Sequence, residues 1–257
     1  MYATNGLYAA GITDVGVTRK QNQDAIFVWN KPIGPFPNLF IVADGMGGHN
    51  AGDVASNIAV EEFGKYVHNY AAQQFIQQEN FLDLMLSAAQ HANNLIIQRA
   101  ESDEKLQGMG TTLTTAVITN EKVFVAHIGD SRAYIVTHSE MKKITADHTF
   151  VEELLQSGHV SPEEALAHPK RHVLTRALGI PEKNGNFGVD GIVKELGDAT
   201  AVLLCSDGLS NMLENDSMMR IINGLGYVET RARYLVDEAN KKGGLDNISA
   251  VLVDIGR

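Results

Sequence analysis

The chain has 257 residues, of which 44% are hydrophobic and 20% charged, a globular balance with ample apolar material for a core. A formal net charge of −10 sets the average surface against nucleic acid and anionic membrane as principal partners. The opening MYATNGLYAAGITD lacks a basic segment and an apolar core, no apolar run approaches membrane-spanning length, and the single cysteine, Cys205, can form no internal disulfide, so the expectation is a cytoplasmic monomer with one domain over 1–257.

Taken in chain order, apolar runs predict strands over Leu7 to Thr13, Ala25 to Trp29 and Leu39 to Ala43. Two helices follow. The first, about Asp53 to Tyr70, carries an apolar stripe of Ala55, Ala59, Phe63, Tyr66 and Tyr70; the second, about Phe81 to Ala100, one of Phe81, Met85, Ala88, Ala92 and Leu95. Strands are expected again over Thr112 to Ile118, Lys122 to Ile128, Ala133 to Thr137 and Lys142 to Ile144. Their tight connections require antiparallel pairing, because a parallel crossover needs a dozen or more residues. From Asp147 to about Asn186, short helical pieces punctuated by Gly158, Pro162, Pro169, Gly179 and Pro181 predict a surface excursion. A strand over Ala201 to Cys205, a helix capped near Asn215 or Asp216, a helix over Thr230 to Lys242 and a last strand over Ile248 to Ile255 complete a layered structure.

Four aspartates sit where apolar runs meet glycine or small polar residues: Asp44 in IVADGMGG, Asp130 in HIGDSR, Asp207 in VLLCSDGL and Asp246 in GGLDNISAVLV. Each pattern reads as a buried strand meeting a tight turn, which would gather carboxylates from distant segments at neighbouring strand ends. Two carboxylates about 4 Å apart repel by roughly 4 kcal/mol at the dielectric of a protein surface. A cluster therefore needs protons or cations, and an all-oxygen donor set suits hard ions such as Mg²⁺ or Mn²⁺. Zinc is disfavoured: no HExxH occurs and one cysteine cannot make a thiolate cluster. A single aspartate of this kind is more often a turn former than a ligand. Four of them together are not.

Seven segments then resemble, in order, the motifs of the metal-dependent serine/threonine protein phosphatases of type 2C, in their compact bacterial form: RKQNQDA from Arg19, ADGMGGHNAG from Ala43, GMGTT from Gly108, HIGDSRAY from His127, LTRALG from Leu174, SDGL from Ser206 and DN at Asp246 and Asn247. The resemblance implies an α+β fold, a four-layer α/β/β/α sandwich with two mainly antiparallel sheets and a flap at about 147–186. It implies hydrolysis of phosphoserine and phosphothreonine in proteins by a metal-bridging hydroxide, opposing a serine/threonine kinase in bacterial signalling. By the same resemblance Asp44 bridges two Mn²⁺ or Mg²⁺ ions, Asp207, Asp246 and the Gly45 carbonyl complete them, Asp130 serves a third ion, Asp24 and Asn247 support the site from behind, and Arg19 binds phosphate. Met46 stands where animal members carry a histidine proton donor, and a metal-bound water is favoured over His49 for that role.

Two rival readings compete with this one. A dinucleotide-binding loop at Gly45-Met46-Gly47-Gly48 is disfavoured by Asn50 in place of the third glycine and by the charge of Asp44. A catalytically silent phosphoprotein binder is disfavoured by the retained Asp44, Asp207 and Asp246.

Overall fold

The computed structural model describes residues 6–48, 51–70, 77–180 and 188–256. One sheet has the order β1 (Leu7–Asp14), β11 (Ile248–Ile255), β10 (Ala201–Cys205), β7 (Arg132–Val136), β8 (Met141–Lys143). The other runs β2 (Asp24–Trp29), β3 (Leu39–Met46), β5 (Leu113–Ile118), β6 (Lys122–Ile128), β9 (Asp190–Glu195), with the two-residue β4 (Gly110–Thr111) paired to the end of β3. Every strand pairing is antiparallel, as the tight connections demanded.

Three cores separate four layers. Leu39, Ile41 and Ala43 of β3 face α1 (Ala51–Tyr70) and α2 (Phe81–Glu101), while the alternate Phe40 and Val42 face the other sheet, against Ala133, Ile135, Val202, Leu204, Val251 and Val253. On the far side of that sheet, Leu203, Cys205, Ala250 and Leu252 pack under the C-terminal helices. Burial on both faces is why β3 and β10 read as unbroken apolar runs. The expected stripes hold with one substitution: Leu95 is only half-buried, and its neighbour Ile96 fills the core.

The short helices are α3 (Phe150–Gln156), α4 (Pro162–Ala167) and α5 (Asp207–Ser210), followed by α6 (Asn215–Ile222) and α7 (Val228–Lys241). Glu214, not Asn215 or Asp216, occupies the cap position of α6, and no side chain caps it. β9 was unforeseen. It is an edge strand with exposed lysine and glutamate, so it lacks the apolar alternation that marks its neighbours. Of the expected excursion, residues 147–180 carry α3 and α4 and are tied at the base by bridges Thr149 to Leu174 and Thr111 to Leu178. Its remainder, 181–186, lies outside the described residues, as does His49.

Candidate active site

Strand register gathers the aspartates. Asp24 opens β2 directly opposite Asp44 on β3. Cys205, two residues before Asp207, pairs with both Arg132 and Ala250, and Leu113 pairs with Ile128, so the turn holding Asp130 and the approach to β11 holding Asp246 lie at the same end of the two sheets. Asp44 departs from expectation in one respect: it lies inside β3, because Gly45 and Met46 continue the strand by pairing with Thr111 and Gly110.

Short polar bonds fix this end of the fold. The Asp44 amide donates to Thr112 Oγ1 (2.9 Å), the Thr112 amide donates to the Asp44 carbonyl (2.9 Å), and the Thr112 and Ser131 hydroxyls meet at 2.7 Å, which links Asp44 to the Asp130 turn. Asn247 is fully engaged: Nδ2 donates to the carbonyls of Val15 and Gln21, both at 2.9 Å, and Oδ1 accepts from the Gln23 amide (2.9 Å). It thereby holds the segment carrying Arg19 against the site. Gly208 allows that approach, since a Cβ there would lie 2.0 Å from the Asn247 carbonyl oxygen. At Gly45 a Cβ would lie 2.0 Å from the Gly52 carbonyl oxygen, so the start of α1 packs directly on the β3 backbone.

The carboxylates line or underlie a cleft of about 710 Å³, whose wall includes Asp44, Gly45, Asp130, Asp207, Asp246 and Arg19. Burial, together with the charges of Asp24, Asp207, Asp130 and Asp246, pushes the Asp44 carboxyl well above the usual range. Burial pushes Asp24 up to about 7 against the pull of its Ser249 hydrogen bond, and burial with Asp207 pushes Asp130 up to about 8. Asp207 is raised by burial and by Asp246.

Arg19 reaches the cleft and donates to Asp246 Oδ2 at 2.8 Å, half exposed. His172 Nδ1 lies 3.9 Å from Asp207 Oδ2, and Asn211 Nδ2 donates to the same oxygen at 3.1 Å. Arg176, the arginine of LTRALG, turns away, donating to the Gly188 carbonyl (2.9 Å) and Asp190 Oδ1 (3.0 Å), and anchors the base of the excursion.

The donor set fits hard divalent cations. Every candidate ligand is oxygen, and Asp24 Oδ1 and Asp207 Oδ1 are buried with no hydrogen-bond partner. Among the described residues no three acidic, His or Cys side chains converge on one ion-sized point.

Sequence reasoning missed Arg132, which also lines the cleft and makes a forked pair with Asp147: Nε to both carboxylate oxygens at 3.1 Å and Nη2 to Oδ2 at 2.6 Å. The signal was present. Arg132 shares a strand face with Tyr134 and Val136, and an arginine on an apolar face needs a buried partner.

The model of the protein phosphatase 2C family matches residues 17–242 of this chain. The chain belongs to the protein phosphatase 2C family. The serine/threonine phosphatase stp of Listeria innocua is 38% identical over 249 residues, 96% of each chain. The fold of this phosphatase matches the crystal structure of the serine/threonine phosphatase Stp1 from Staphylococcus aureus with a TM-score of 0.88 at 30% identity, covering 100% of this chain and 98% of the other. It also matches the catalytic domain of the serine threonine protein phosphatase PstP in complex with two manganese ions, with a TM-score of 0.80 at 30% identity, covering 98% and 99%. Catalysis in this family is metal-dependent, as the carboxylate cluster requires. Among the described residues no helix is long and apolar enough to cross a membrane.

Proposed function

We propose that this protein phosphatase hydrolyses phosphoserine and phosphothreonine in proteins, as one catalytic domain, acting as a monomer in the cytoplasm of a bacterium and opposing a cognate serine/threonine kinase. The observation that carries the reading is the set of buried, mutually repelling carboxylates around Asp44, with orphaned oxygens at Asp24 and Asp207.

Asp44, Asp207, Asp246 and the Gly45 carbonyl would hold two Mn²⁺ or Mg²⁺ ions, and Asp130 a third. When bound, such ions supply an acidified water as nucleophile and draw charge from the phosphoryl oxygens. The chain's own residues do the rest. Asn247 and the Asp24–Ser249 hydrogen bond (2.6 Å) hold the ligand-bearing segments in place. Arg19 is positioned to exchange its exposed bond with Asp246 for two phosphate oxygens, where a guanidinium fork fits and a lysine would not. Residues 147–180, which place Leu166, Arg171 and His172 on the cleft wall, form the flap past which a phosphoprotein approaches.

The test is turnover of a phosphothreonine peptide by chelator-stripped protein, before and after Mn²⁺ is restored. Activity should be absent before and present after. Full activity in the stripped protein would refute the reading.

A further inference from the structure

A second concavity, of about 480 Å³, lies between α6 and α7. Its floor is aliphatic, with Leu213 and Ile221, and its rim carries Leu225 and Tyr234. Leu225 is 100% exposed and Tyr234 55%, and Tyr227, on the turn between them, is 83% exposed. Exposed large apolar side chains are ordinarily scattered singly, and a cluster rimmed by charge marks an interaction surface. The charge is mainly positive. Arg220, Arg231, Lys241 and Lys242 line the groove against one acid, Glu238, on a protein whose net charge is −10. Arg231 is neutralised by Asp254 and Lys241 by Glu238. Arg220 donates only to neutral groups, the Asp216 carbonyl and the Ser217 hydroxyl, both at 3.2 Å, and among the described residues neither it nor Lys242 has an ion-pair partner.

The groove and the catalytic cleft are lined by neighbouring stretches of chain. Ser210, Asn211 and Met212 line the cleft and Leu213 lines the groove; Leu245 and Asp246 line the cleft and Lys241 and Lys242 the groove. Adjacent residues, Met212 and Leu213, thus line the two cavities, which puts both within the reach of one extended polypeptide.

We propose that the α6–α7 groove docks an extended acidic segment of the phosphoprotein substrate, with one apolar side chain seated against Leu213, Ile221 and Leu225 and its carboxylates against Arg220 and Lys242. The inference rests on the phosphatase reading of the cleft. It explains how an acidic enzyme with a carboxylate-lined cleft retains an acidic phosphoprotein: attraction is supplied beside the cleft rather than in it.

Two measurements test it. In the first, fluorescence anisotropy follows a labelled, unphosphorylated peptide of aspartates and glutamates around one leucine as it binds the full chain. Binding should be saturable, weaken as salt rises, and fall about tenfold or more in the double variant Arg220→Glu, Lys242→Glu. In the second, a phosphothreonine peptide is compared with the same peptide extended by that acidic segment through spacers of about three to nine residues, reaching up to roughly 30 Å. At the best spacer, KM should fall about fivefold with kcat unchanged, and the advantage should vanish in the double variant and in Leu225→Ser while turnover of a small aryl phosphate stays at the wild-type level. No binding of the acidic peptide, or equal binding by the double variant, overturns the proposal even with normal phosphatase activity. Saturable binding with no effect of the extension on KM also overturns it, because the groove would then serve something other than substrate. Self-association of the chain that the double variant abolishes, without peptide binding, would assign the groove to a second copy and overturn it too. Loss of the phosphatase reading itself would appear separately, as failure to hydrolyse either the peptide or the aryl phosphate with Mn²⁺ present.

Discussion

Asp147 and Asp24 are almost equally buried, at 9% and 8% exposure, yet their surroundings push the two carboxyls in opposite directions. At Asp147 burial alone would raise the carboxyl, but the fork from Arg132 and the Lys143 ammonium at 3.1 Å outweigh it and hold the group below its usual range. At Asp24 no ion pair forms among the described residues, and burial pushes the carboxyl up to about 7. The chain thus has the means to neutralise a buried carboxylate and applies them at the rim of the cleft, not at its centre. Leaving Asp24 and Asp44 so placed fits a site whose compensating charge arrives from solution, which is the physical content of metal dependence.

The sharpest way to break that comparison is Asp44→Asn. It removes the carboxylate on which four others act, and turnover of a phosphothreonine peptide should fall about a thousandfold or more, roughly 4 kcal/mol of transition-state stabilisation. Activity within about tenfold of wild type would show that the cluster does not organise the reaction. On the other side of the comparison, Arg132→Ala strands Asp147 with Lys143 as its one remaining cation, and the unfolding free energy in urea should drop by about 3 kcal/mol. Asp44→Asn in metal-free protein should instead leave stability unchanged or raise it. If both variants were equally destabilised, the two aspartates would be playing the same structural part.

Much of this was legible in the sequence because burial on both faces writes long apolar runs. Lys122–Ile128, Ala201–Cys205 and Ile248–Ile255 have the bounds the pattern predicts, and the four turn-flanked aspartates line one cleft. What was illegible has physical causes. β9 is an exposed edge strand with few apolar positions. α5 is a single turn, too short for a periodic signal. Gly45 and Met46 look like a turn but pair as strand, because their partners Gly110 and Thr111 lie some 65 residues away in sequence and no local pattern announces them. The Arg132–Asp147 pair joins two residues 15 apart through the tertiary fold, so the arginine was visible but its partner was not.

The pH dependence of metal-free protein should carry the sign of the raised groups. Asp24 and Asp130 bind protons in the folded state up to about 7 and about 8, far above the 3.8 of a free aspartate. Between about pH 4 and pH 8 the folded state therefore holds more protons than the unfolded one, and stability falls as pH rises through that window. Asp147 works the other way: its depressed pKa gives stability that is present above about pH 4 and lost below it. The midpoint of thermal unfolding in chelator should then be highest near about pH 5 and lower by several degrees at about pH 8, and Mn²⁺ should restore it mainly at the higher pH, where the ligands no longer need to release protons. A chelated protein more stable at about pH 8 than at about pH 5 would contradict the account of the cleft.

The smallest effect on stability belongs to Arg19, the half-exposed arginine of the cleft. Arg19 bonds Asp246 at 2.8 Å as Arg132 bonds Asp147, but Arg19 is half exposed where Arg132 is mostly buried, and a solvated pair contributes about 0–1 kcal/mol. Arg19→Ala should therefore leave the urea midpoint nearly unmoved. Its effect should appear in kinetics: an arginine that binds the phosphate of substrate and transition state alike raises KM for a phosphopeptide when removed and lowers kcat less. Arg19→Lys should recover only part of the loss, since an ammonium keeps the charge without the two-pronged geometry. An unchanged KM in Arg19→Ala would make this arginine a surface charge that happens to rest on Asp246, and the phosphate would have to be held by the cations alone.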